Sequence, residues 1–211
     1  MPSEFVTVIL GQFSRPPDPA DLDSVYNRAQ WLAGHLFREH RPSFYIPPVL
    51  RRERGEVLGL LKRPEVGYRV CTQFNEEIFP GSIRFAIVWE ALEIPGSKRP
   101  DRELVGKTGE RARHLLGKAR SVGWSYVFDL GKDVPLNQVL TEMASLVHSF
   151  RGLWSVHQNQ VIRLYQELGR QKFVAERLGI SQQAVSDILK RAHWKEIRRA
   201  ERMIDEVLKG I

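Results

Sequence analysis

Residues 174–192 read VAERLGISQQAVSDILKRA. The apolar positions recur at helical spacing on both sides of Gly179. That pattern predicts a helix, a tight turn and a second helix. Ala175 is the small residue that lets the two helices approach, and Gly179 takes the turn, where a left-handed backbone suits glycine. Val174 and Leu178 cover the inner face of the first helix. Ile180 plugs the turn, and Val185 and Ile188 cover the inner face of the second. Ser181 is positioned to N-cap the second helix.

The outward face of that second helix then carries Gln182, Gln183, Ser186, Lys190 and Arg191, with Lys172 at the start of the first helix as a further cation. Glutamine can bond both edges of an adenine, and Lys and Arg reach guanine or phosphate. An apolar back and a hydrogen-bonding front of little negative charge are what a helix needs to read a major groove. Asp187 is the one departure: it caps a neighbouring group or accepts from a cytosine. The expected partner is double-stranded DNA, through Lys172, Ser181, Gln182, Gln183, Ser186, Lys190 and Arg191. The competing reading is a protein-binding helical hairpin.

The residues around this stretch are helical too. SVHQNQVIRLYQEL (residues 155–168) and PLNQVLTEMASLVHSF (135–150) both carry helical periodicity. In its order of helices the segment resembles the promoter-reading domain of sigma factors. Farther on, Trp194, Ile197, Ala200, Ile204, Val207 and Ile211 form an apolar stripe with Arg198, Arg199 and Arg202 off it. The stripe either packs on its own domain or forms the seam of a two-fold dimer.

The first 130 residues have a different rhythm. EFVTVIL (residues 4–10) reads as a buried strand, broken by Gly11 and the prolines that follow. Residues 20–40 read as a helix ended by Pro42. Two strands follow around a turn at residues 51–55, with Pro47-Pro48 marking an edge or a bulge. A helix over 64–77, a strand at SIRFAIVWEALEI (82–94), a solvated loop at PGSKRPDRE (95–103), a helix and a last strand at WSYVFDL complete the order β-α-β-β-α-β-α-β. The expected fold class is α+β: a ferredoxin-like or palm-type sheet with helices on one face, then an all-α helix-turn-helix domain. The expected division is 1–132 for the sheet domain, 133–152 for a connecting helix and 153–211 for the DNA-binding domain.

Composition agrees with a globular chain. Of 211 residues 42% are hydrophobic and 27% charged, with a net charge of +7. Residues 151–211 hold twelve Lys and Arg against seven Asp and Glu, so most of the positive excess lies with the suspected DNA reader. The lone cysteine, Cys71, excludes an intrachain disulfide and reads as a small buried hydrophobe. The early apolar run FVTVIL is too short for a signal peptide or a membrane span, which points to the cytoplasm and to no membrane partner. The six histidines show no metal-ligand spacing. GKT at residues 106–108 lacks the glycine a phosphate loop requires at position 101, where Asp101 stands, so Gly106 and Gly109 read as turn residues.

Together the two halves resemble the SatD family over nearly the whole chain, most strongly from Trp154 to Glu201. In the first half the matches are Gly11-Gln12 with Ser14-Arg15, Arg54-Gly55-Glu56-Val57 with Gly59-Leu60-Leu61, Arg84-Phe85, and Ala112-Arg113. The resemblance implies a sheet related to palm-type nucleotide cyclases, in which two carboxylates hold divalent metals. At those positions this chain has Gln12 and Gly55, and Ala86, Val88 and Glu90 fill a face that the family leaves open with glycines. Only Glu56 remains, so the implied chemistry is lost, and no catalytic residue, metal or cofactor is expected. The resulting expectation is a DNA-binding transcription regulator whose palm-like domain dimerises or senses an unidentified nucleotide or protein effector. The alternatives are a nucleotide-processing enzyme and a protein-binding adaptor.

Overall fold

The computed structural model describes residues 3–15, 22–93, 107–131 and 133–211. The fold is mixed α+β, with strands in the first half and helices in the second. In chain order the elements are β1 (Ser3–Arg15), α1 (Leu22–Glu39), β2 (Phe44–Arg51), β3 (Glu56–Leu61), α2 (Pro64–Glu77), β4 (Ser82–Glu93), α3 (Lys107–Val122), β5 (Tyr126–Asp129), α4 (Val134–Gly152), α5 (Val156–Leu168), α6 (Gln171–Leu178), α7 (Gln182–Arg191) and α8 (Trp194–Lys209). Two compact units result. One comprises Met1–Ser145 and Ile204–Ile211, the other Leu146–Met203.

The first unit is built on one five-stranded sheet in the order β2-β3-β1-β4-β5. Its first four strands pair antiparallel, and β5 joins β4 in parallel. That arrangement of β1–β4 is the ferredoxin-like one. Strand alternation sorts the apolar side chains. Ile9, Val57, Phe85 and Ile87 face one core with α1 and α2, which supply Ala29, Leu36, Cys71 and Phe74. Val6, Val8, Leu10, Leu58, Leu60, Ala86 and Val88 face a second core with Ala112, Leu116 and Ala119 of α3. Helices therefore cover both faces, not one as expected. A β-α-β unit whose strands are parallel neighbours must cross on one side or the other, and Ala112 and Ala119 are small enough to bring α3 down onto the face opposite α1 and α2.

Two local expectations are corrected, and one open alternative is narrowed. β1 does not stop at Gly11. It continues to Arg15 with an irregularity between Phe13 and Arg15, and a Cβ at Gly11 would lie 2.4 Å from Phe85 Cε1. Gly11 is thus a site of close approach within a strand, not a breaker. Gly109 is no turn residue, since it lies buried in the first turn of α3; Gly106 and the loop expected at 95–103 lie outside the described residues. In α8 the stripe residues Trp194 and Ile197 are buried in the second unit's core, and Ile204 in that of the first. They are spent within the chain itself, leaving Val207 and Ile211 exposed. Among the described residues no helix is long and apolar enough to cross a membrane.

Candidate nucleic-acid interface

The second unit gathers Val147, Trp154, Val161, Ile162, Val174, Ala175, Val185, Ile188, Leu189, Trp194 and Ile197 into one core. α5 starts on a complete capping box: Ser155 accepts from the Gln158 N–H, and the Gln158 side chain accepts from the Ser155 N–H. Trp154 donates its indole N–H to the Ala192 carbonyl at 2.9 Å, tying the start of this unit to the end of α7. Glu201 is buried, and bonds Arg151 on one side and Arg198 on the other, the latter at 2.9 Å. Arg151 lies over the Trp154 ring and Arg198 over the Trp194 ring. The Arg151–Glu201 pair and the tilted Trp154–Trp194 contact, 6.2 Å between ring centroids, join α8 to the rest of the unit.

Within this frame α6 and α7 are joined by Gly179, Ile180 and Ser181. Gly179 has φ +66°. A Cβ there would meet nothing within 4 Å, so the glycine answers to its backbone angle rather than to crowding. Ser181 caps α7, its hydroxyl accepting from the Ala184 N–H at 3.1 Å. Val174 and Ala175 of α6 pack in the same core as Val185, Ile188 and Leu189 of α7, with Leu178 and Ile180 against its edge. Burial of each large apolar side chain is worth about 1.5–3 kcal/mol.

With its back buried, α7 turns Gln182, Gln183, Lys190 and Arg191 to solvent, with Ser186 and Asp187 half-buried beside them. The structure gathers Gln182, Gln183, Ser186, Lys190 and Arg191 on one side of one helix. Lys172 is also exposed, on α6, where its ammonium lies 4.0 Å from Glu176. Two contacts qualify the face. Gln183 donates its amide to Asp187 at 3.0 Å, so Asp187 accepts from a neighbour, one of the two roles foreseen for it. Arg191 donates to the Asp187 carbonyl at 3.3 Å. The face is therefore partly self-bonded.

The palm-related positions in the first unit behave differently. Gln12, Glu56 and Arg84 lie side by side across β3, β1 and β4: Gln12 is in register with both Glu56 and Arg84. Alternation puts all three on the α3 side. Gly55 turns the chain into β3 at φ +59°. Glu56 is buried, and Arg113 of α3 holds both its oxygens, Nε to Oε1 at 3.1 Å and Nη2 to Oε2 at 3.3 Å. Partial burial and the nearby Arg120 lower the Arg84 pKa, and this guanidinium donates to the Trp124 carbonyl. A divalent cation does not fit here. One carboxylate is present, a guanidinium already occupies it, and a second cation stands two strands away. Among the described residues no group of three or more His, Cys, Asp or Glu could hold a metal ion.

Sequence reading missed this lock, and also a second one. Arg111 bridges Glu90 and Asp129, with Nη1 at 3.1 Å from Glu90 and Nε at 2.8 Å from Asp129. The partners are 21 and 18 residues apart, and no local pattern announces such pairs.

No family model matches the chain, and no curated protein does, so the SatD resemblance rests on the residues quoted for it. Among solved structures, a regulator of polyketide synthase expression from Bifidobacterium adolescentis is similar at 13% identity and a TM-score of 0.26, over 98% of this chain and 82% of that one. Likeness at that level carries no argument about fold or function.

Proposed function

We propose that this protein is a cytoplasmic DNA-binding transcription regulator. In this reading α6, the turn at Gly179 and α7 form a helix-turn-helix. α7 lies in the major groove, with Gln182 and Gln183 on base edges and Ser181, Ser186, Lys172, Lys190 and Arg191 on bases or phosphates. The observation that carries it is the division of α7 into a fully buried apolar back and a solvent-facing polar front, immediately after a capped left-handed turn. The surplus of cations in residues 151–211 supports it through attraction to phosphate.

The palm-like unit serves dimerisation or sensing in this reading, not catalysis. The pairing of Glu56 with Arg113 supports the non-catalytic part of that reading, because the one carboxylate at the palm-related positions Gln12, Gly55 and Glu56 is already held by a guanidinium. The test is selection of bound genomic fragments by the purified full chain, followed by affinity measurements across salt. Specific fragments should be enriched, with a steep loss of affinity as salt rises. No enrichment, and no binding of any DNA at low salt, would leave the protein-binding adaptor as the better account.

A further inference from the structure

A groove of about 570 Å³ lies beside α7 in the second unit. Ser186 and Lys190 of α7 line it, as do His193 in the turn before α8 and Lys195, Arg198 and Arg202 in the first half and middle of α8. The chain enters α8 through His193, the one described non-glycine residue with positive φ, at +51°. That turn brings the exposed cations of α8 alongside the polar front of α7.

The charge is unbalanced. Arg198 is already paired with Glu201. Lys190, Lys195 and Arg202 are exposed, and none has a carboxylate within ion-pair distance among the described residues. Glu196 is the single carboxylate among the lining residues. Three unneutralised cations lining one groove together with the Ser186 hydroxyl suit a row of phosphodiester oxygens.

We infer that this groove holds the phosphodiester backbone of one DNA strand, with Lys195 and Arg202 as phosphate contacts outside the helix-turn-helix. The inference rests on the DNA-reading function proposed above. A helix with its side chains is about 10–12 Å across and a major groove about 12 Å wide, so a helix lying there has a sugar-phosphate strand along each flank. The groove shares Ser186 and Lys190 with the front of α7, so whatever occupies it runs along that flank. Such contacts set register and affinity without reading sequence.

The experiment compares the full chain with Lys195→Gln/Arg202→Gln, and with Lys118→Gln as a charge control on exposed α3. Affinity for a selected site and for random DNA is measured between 50 and 300 mM salt (about the range where counterion release dominates). The double variant should melt like the parent and lose affinity equally on both DNAs. Its slope of log affinity against log salt should be shallower by roughly 0.9 per lost contact. Lys118→Gln should keep the parental slope. DNA binding with the parental slope in the double variant would overturn this inference and leave the proposed function standing. Failure of the parent to bind any DNA would overturn both. A melting shift with millimolar inorganic phosphate that the double variant abolishes, beside an unchanged DNA slope, would give the groove to a small anion instead.

Discussion

Replacing Gln183 by Ala tests base reading most directly. In the free protein the Gln183 amide is bonded to Asp187 at 3.0 Å on an exposed helix surface. Such a pair four residues apart is worth about 0.2–0.5 kcal/mol. To reach an adenine edge Gln183 gives that bond up, so the gain from a bidentate base contact, about 1–3 kcal/mol, is reduced by that amount. Gln183→Ala should therefore cost about 0.5–2.8 kcal/mol on the selected site, a roughly 2- to 110-fold loss. Random DNA should be bound almost as before, because no phosphate contact is removed. Asp187→Asn supplies the converse. It takes a carboxylate away from the side of α7 that faces phosphates, so it should tighten binding to every DNA, most at low salt. Equilibrium titration of labelled duplexes, specific and random, reads both. Equal losses on the two DNAs for Gln183→Ala would refute base reading by this residue. Weaker binding by Asp187→Asn would show that the carboxylate accepts from a base and does more than hold Gln183.

Other substitutions probe the scaffold. Ser181→Ala removes the cap on α7 and should cost about 1 kcal/mol, lowering the melting temperature by roughly 2–4 °C. Glu201→Ala leaves the buried guanidinium of Arg151 without its carboxylate and should cost about 3 kcal/mol in equilibrium unfolding; a near-neutral result would mean water reaches that site. Mg²⁺ or Mn²⁺, with or without a nucleoside triphosphate, should not raise the melting temperature, since Arg113 already neutralises Glu56; a metal-dependent rise of several degrees, lost in Glu56→Ala, would revive an enzymatic reading. Cys71 is fully buried and burial pushes its thiol pKa well up, so a thiol reagent should modify it roughly a hundredfold or more slowly in the folded protein than in urea.

Much of this fold was legible from pattern alone. The 3.6-residue period over 22–39, 64–77 and 182–191 and the apolar runs of β1, β3 and β4 are local properties, which neighbouring residues express wherever the chain goes. So is the Gly179–Ser181 turn, because a left-handed angle and an N-cap are requirements of three consecutive residues. The edge position of β2 was legible too, from prolines that cannot donate to a ladder.

What local pattern leaves open is which distant surfaces meet. An amphipathic helix announces that it will bury a face, not against which side of the sheet, so the placement of α3 opposite α1 and α2 came only from packing. Gly11 looked like a breaker because its crowding comes from Phe85, 74 positions on, across a strand pair. The charged residues followed the same rule. Glu56 read as a leftover metal ligand until Arg113 closed on it, and Arg202 read only as a residue off the apolar stripe until the groove set it with Lys195 beside α7. An ion pair or a groove is a matter of distance in space, and along this chain that distance is settled by how the apolar faces find one another.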